Sequence, residues 1–97
     1  VRAYELMLIV NPDLEEEATD AVIERTSNLI QRGGGEVTNI NKWGKRRLAY
    51  EIRGNTEGFY VVIDFNADDE TTTEVERVLK ITEEVVRFLL VRKNDEE

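Results

Sequence analysis

Binding is the only chemistry open to the side chains of this 97-residue chain. It has no His and no Cys, which excludes imidazole bases, thiolate nucleophiles and imidazole or thiolate metal sites. Ser27 is the sole serine, and it sits inside a helical pattern with no base to activate it. No carboxylates are paired in a way that suggests a pocket, so no enzyme, metal or cofactor is expected. What remains is the stretch Lys42 to Arg53, Lys-Trp-Gly-Lys-Arg-Arg-Leu-Ala-Tyr-Glu-Ile-Arg. It carries Lys42, Lys45, Arg46, Arg47 and Arg53 against Glu51 alone, and it holds the only Trp, Trp43. Guanidinium and ammonium groups beside Trp43 and Tyr50 suit contacts to phosphate and to a partner's surface.

The rest of the chain is acidic. With 21 Asp and Glu against 13 Lys and Arg, the net charge is -8, and the mean field repels nucleic acid and anionic membranes. Only a local patch such as Lys42–Arg53 escapes that field. The acidic runs Glu15-Glu16-Glu17 and Asp68-Asp69-Glu70 each stand at the start of a helical pattern. There they complement the helix dipole, a better reading than a metal site. Gly33-Gly34-Gly35 invites a phosphate-loop reading, but it follows a helix and precedes a strand, where glycine ends the helix. No apolar run approaches the roughly 18–20 residues of a membrane span. The chain enters a strand directly at Arg2, unlike a signal peptide, so the cytoplasm is the expected location.

The basic stretch needs a scaffold, and the hydrophobic periodicities supply one. Arg2–Val10 reads as a strand with two apolar faces, which suits a central position. Asn11-Pro12 ends it, and Asp13 with Glu16 makes a candidate capping box for a helix reaching about Arg32. The stripe of that helix is Leu14, Ala18, Val22, Ile23, Thr26, Leu29 and Ile30. The next strand, Val37–Arg53, changes parity between Val37 and Ile40, which predicts a bulge or bend near residues 38–44. Gly54–Gly58 reads as a hairpin turn and Phe59–Phe65 as the third strand. Asp68 or Asp69 caps a second helix with stripe Val75, Val78 and Leu79, and Val85–Lys93 is the last strand. Asn94–Glu97 reads as a frayed polar tail on one domain spanning residues 1–97.

Two helices with one apolar stripe each cover one face of four strands. The order strand, helix, strand, strand, helix, strand therefore predicts an α+β, ferredoxin-like βαββαβ sandwich, with strands one and three central. Tyr4, Leu6, Leu8, Leu48, Ile52, Val61, Ile63, Phe88 and Leu90 are expected beneath the helices. Met7, Ile9, Tyr60, Val62, Leu89 and Val91 then lie on a bare face, an expected partner surface.

An RNA-recognition module shares this strand order, but its third strand opens with a basic residue, Gly and an aromatic. Here Glu57-Gly58-Phe59-Tyr60-Val61 has acid first, and Phe59 and Val61 have core parity. A homo-oligomeric regulatory module binding a small ligand on the bare face is a second reading, though it leaves the Lys-Arg-Arg cluster unexplained.

Gly44-Lys45-Arg46-Arg47-Leu48-Ala49-Tyr50-Glu51-Ile52-Arg53 resembles the signature of the bacterial small-subunit ribosomal protein S-six family. Arg2-Ala3-Tyr4-Glu5 followed by Asn11-Pro12 and the Gly58-Phe59-Tyr60 entry to the third strand resemble that family as well, and the likeness runs over essentially the whole chain. The resemblance implies a structural protein of the small ribosomal subunit, monomeric when isolated. It also implies binding to the central domain of small-subunit rRNA together with small-subunit ribosomal protein eighteen during assembly. On that reading Arg2, Arg46, Arg47, Arg87, Arg92 and Lys93 are expected at the rRNA. Lys42, Trp43, Lys45 and Tyr50 are expected at the partner protein, which is basic in the family.

Overall fold

A strand that is apolar on both sides suits an interior position in a sheet, and Arg2–Val10 (β1) is paired along both of its edges. The computed structural model describes residues 1–52 and 54–93; Arg53 and the expected tail Asn94–Glu97 lie outside the described residues. After β1 come Glu16–Arg32 (α1), Glu36–Ile52 (β2), Asn55–Ala67 (β3), Asp69–Lys80 (α2) and Val85–Arg92 (β4). The strands pair in the order β2-β3-β1-β4, every pair antiparallel. This is the expected ferredoxin-like sandwich.

Both helices lie on one face. Leu6, Leu8, Val61, Ile63 and Phe65 from the sheet meet Val22, Ile30, Val75 and Leu79 from the helices, all of them nearly fully buried. Each such side chain contributes about 1.5–3 kcal/mol by leaving water, so this layer holds the helices in place more than their intrinsic propensity does. Tyr4 stacks on Phe65 and donates from its hydroxyl to Asp69 Oδ1 at 3.1 Å, tying β1 to the first turn of α2.

The start of α1 differs from expectation. Asn11 Oδ1 accepts the Asp13 amide at 2.9 Å, and Asn11 O accepts the Leu14 amide at 3.3 Å. That side-chain turn holds Asp13 outside the helix, so the Asp13/Glu16 capping box does not form and Glu15 becomes the N-cap without a side-chain bond. Leu14, expected in the stripe, packs on the core from the turn. Asp68 does cap α2, accepting from the Thr71 amide at 2.8 Å.

The triple glycine is a helix stop. Gly34 adopts φ 90°, the Gly34 amide donates to Gln31 O at 3.0 Å and the Gly35 amide to Ile30 O at 2.9 Å. That pair of bonds is a Schellman cap. Gly33 donates to Leu29 O at 3.2 Å, so none of the three amides is free to cradle a phosphate.

β2 departs from regular pairing at three points, two single-residue bulges and a longer shift between Arg47 and Ile52. Against β3, the register skips Thr38 between Val37↔Phe65 and Asn39↔Asp64, and skips Trp43 between Lys42↔Val61 and Gly44↔Tyr60. Each extra residue reverses the parity of the residues after it. Ile40 and Lys42, between the bulges, share the helix side with Ile63 and Val61. Leu48 lies beyond both bulges and turns to the open side. There it is buried with Ile9 and Val86, and Ile52 and Tyr60 pack alongside. The expectation of Leu48 and Ile52 beneath the helices is thus corrected. Residues 55–58 are also strand and not turn: Arg46 pairs with Gly58, Arg47 with Glu57 and Ile52 with Asn55.

Candidate binding surface

The open face is built from alternate residues of the strands. β1 supplies Glu5, Met7 and Ile9, β3 supplies Tyr60, Val62 and Asp64, and β4 supplies Arg87, Leu89 and Val91. The β2–β3 hairpin runs on past Val10↔Phe59, the last pair of β1 with β3, and curls over this face. Gly58 permits the curl. A Cβ there would lie 2.3 Å from Ile9 Cγ2 and 3.4 Å from Leu48 Cδ2, so Leu48 can close on Ile9 only because position 58 has no side chain.

The second bulge places Trp43. With Gly44 at φ 90°, the extra residue swings its indole onto the open face. There it stacks on Tyr60 with ring centroids 6.3 Å apart and planes 12° apart. The Arg46 guanidinium lies over the indole 5.8 Å from its centroid, and its Nη2 donates to Trp43 O at 3.4 Å. The indole stays 44% exposed, a large apolar surface left for something else to cover. Sequence reasoning identified Trp43 and Tyr60 singly but not their stack, which depends on a second bulge.

Between the curled hairpin and the sheet is a cleft of about 200 Å³ lined by Met7, Ile9, Leu48, Tyr50, Ile52, Tyr60, Arg87 and Leu89, among others. Arg87 Nη1 donates to the Tyr50 hydroxyl at 2.6 Å across its mouth. Leu89 at the rim is 56% exposed, whereas Ile9 on the floor is 8% exposed.

The other residues singled out from the sequence fall elsewhere. Lys42 points to the helix layer and is ion-paired with Asp20 of α1, a contact that raises its pKa above the usual lysine value. That engagement separates it from Trp43. Lys45 and Arg47 pair with Phe59 and Glu57 and project to the side of the hairpin opposite Arg46, so the Lys-Arg-Arg cluster is divided between two faces. Arg92 pairs with Tyr4, five positions along β1 from the Ile9↔Arg87 pair and so about 17 Å away. Arg2 and Lys93 lie at that same far end: Arg2 pairs with Ala67, and the Lys93 amide donates to Ala3 O at 2.8 Å. Lys93 Nζ is 3.4 Å from Asp64 Oδ1, within ion-pair range though not aligned as a hydrogen bond. The structure therefore groups Arg2, Arg92 and Lys93 at one end. It groups Trp43, Arg46, Tyr50 and Arg87 at the other.

The family model for ribosomal protein S6 matches residues 3–92. The small ribosomal subunit protein bS6 of Thermoanaerobacter pseudethanolicus is 50% identical over 95 residues, which cover 98% of this chain and 100% of that protein. The protein of the same name from Moorella thermoacetica is 46% identical over 96 residues, covering 99% and 98%. The crystal structure of 30S ribosomal protein S6 from Thermotoga maritima superposes with a TM-score of 0.89 at 33% identity, covering 95% of this chain and 87% of that one. These are names of ribosomal proteins and not of enzymes. A match over nearly the whole length in sequence, and again in structure, leaves one assignment: the chain belongs to the ribosomal protein S6 family.

Proposed function

We propose that this chain is a structural protein of the small ribosomal subunit that binds the central domain of small-subunit rRNA jointly with small-subunit ribosomal protein eighteen during assembly. The observation that carries this reading is the bare sheet face. Trp43, Tyr50, Leu89 and Val91 are each more than two-fifths exposed there, with Arg46 and Arg87 beside them. Exposed apolar area of this kind marks an interaction surface.

The two groups of basic residues divide the work. Arg2, Arg92 and Lys93 at the far end are positioned for phosphates, and Arg46 and Arg47 reach RNA from the two sides of the hairpin. Trp43 and Tyr50, with Lys45 at the border, take the partner protein. Lys42, ion-paired with Asp20, offers its charge to the partner from the helix side. A net charge of -8 leaves the chain alone poorly suited to RNA, and a basic partner supplies the missing attraction. The cleft on the open face, about 200 Å³, is smaller than the roughly 300–1,000 Å³ of small-molecule sites. A ligand-sensing module is the weaker reading for that reason.

The test is a titration of a central-domain rRNA fragment. The chain alone binds weakly and loses affinity steeply with salt, and added protein eighteen tightens the binding strongly. Tight, salt-insensitive binding by the isolated chain would overturn the joint mechanism.

A further inference from the structure

We infer that the cleft beneath the curled hairpin seats one large apolar side chain of the protein partner, and that a basic side chain of the same partner segment faces Glu5 and Asp64. This rests on the proposal that a protein docks on the open face, and it names what that protein must present.

The cleft volume, about 200 Å³, suits a single side chain. The floor is made by Ile9 and Leu48, already nearly dry, while Leu89 at the rim is 56% exposed. A side chain entering there removes water from apolar groups on every side, the setting in which interface anchors concentrate binding energy. Tyr60 lines the cleft and also backs Trp43, so the seat is continuous with the exposed indole.

Negative charge adjoins the cleft along β1. The next open-face residue after Met7 is Glu5, whose neighbours across the sheet are Asp64 and Val91. One pleat repeat separates Met7 from Glu5, about 7 Å. Asp64 has Lys93 at 3.4 Å, whereas Glu5 has no ion pair among the described residues. Arg2 and Arg92 at this end have the parity of the helix side, so on the open face the two adjacent carboxylates disfavour phosphate and attract ammonium or guanidinium. The occupant is therefore a protein segment with an apolar side chain and a basic one about a pleat repeat away, not a strand of RNA.

Met7 is the only methionine, so its ¹³C-labelled methyl group is a single reporter inside the cleft. Intact chain is titrated with protein eighteen of the same ribosome, and separately with the rRNA fragment. The methyl resonance shifts with the protein and stays in place with RNA alone. Leu89→Trp, at an exposed strand position, fills the seat and weakens protein binding by about tenfold or more, while Leu89→Ala weakens it less. Circular dichroism checks that both variants are folded. Glu5→Lys weakens protein binding independently of Leu89. If protein eighteen binds with Met7 unmoved and Leu89→Trp at unchanged affinity, the seat is refuted and joint docking stands. If only Glu5→Lys has no effect, the charge assignment is refuted. Absence of any binding to protein eighteen overturns the docking proposal and the seat together.

Discussion

Tyr50 and Arg87 belong to strands at opposite edges of the sheet, yet the Arg87 guanidinium donates to the Tyr50 hydroxyl at 2.6 Å. The contact is possible only because the β2–β3 hairpin curls across β3 and β1. Both side chains are exposed, so water competes for the bond and its net worth to the fold is small.

Tyr50→Phe keeps the ring and removes the acceptor. Global stability should change by no more than about 0.5 kcal/mol, as for an ordinary surface substitution. Amide hydrogen exchange in residues 48–52 should quicken, since a local restraint on the hairpin is lost. Unchanged exchange would show that packing of Leu48 and Ile52 alone holds the curl.

Gly58→Ala should be costly because the added methyl must displace Ile9, whose Cγ2 would be 2.3 Å away. Overpacking of this kind destabilises by about 1–3 kcal/mol. Urea unfolding measures it. Adding Ile9→Ala to the same chain should recover part of the loss, so the two changes are non-additive.

Gly44→Ala tests a different cost. A Cβ there meets nothing within 4 Å, but φ is 90°. The penalty is therefore backbone strain alone, about 1–2 kcal/mol. Relief of that strain would move the bulge, so Trp43 fluorescence should change and partner affinity should fall. A change in stability with Trp43 emission unaltered would separate the bulge from the placement of the indole.

Arg46→Ala and Arg47→Ala should behave differently because the two side chains leave the hairpin on opposite sides. Both should impair joint assembly with little effect on stability, within about 0.5 kcal/mol. Only Arg46→Ala should alter Trp43 emission, since Arg46 alone lies over the indole.

Acid should weaken α2 at its N-cap and at a mid-helix ion pair. The Thr71 amide holds the Asp68 carboxyl below the usual aspartate range, and the Arg77 guanidinium holds Glu74 below the usual glutamate range. A carboxyl with a depressed folded-state pKa stabilises above its ordinary value, and that stability is lost as pH falls from there through the depressed value. Thermal unfolding across that acid range should show a declining midpoint. Asp68→Asn, which still accepts the Thr71 amide but does not titrate, should flatten the decline.

Much of this architecture was legible from periodicity, and the misplacement of Leu48 has one cause. Val37 and Leu48 differ in parity. A single bulge between them would set both on the helix side, whereas Ile52 lies beyond a further register shift after Arg47. The second extra residue cancels the first, and no propensity marks Thr38 or Trp43 as unpaired. The parity change between Val37 and Ile40 flagged a break in the strand without giving the number of breaks. Asp13 failed as a cap because Asn11 competed for the local amide first. The Tyr50–Arg87 bond had no sequence signal at all, since it joins edges that are not neighbours in the sheet. Gly58 did carry one, a residue without a side chain in an otherwise bulky strand, the usual mark of a close approach.

The same two bulges govern how copies of this chain treat one another at high concentration. β2 is 17 residues long and forms one border of the sheet, a length of unpaired backbone that would otherwise be a template for stacking chain on chain. Thr38 and Trp43 interrupt its repeat twice, and Lys45 and Arg47 would set like charges close together in a matched pairing. A growing fibril needs a straight, uninterrupted rail. This border offers only short broken lengths of one, so the irregularity that turns Trp43 onto the open face also protects the chain from itself.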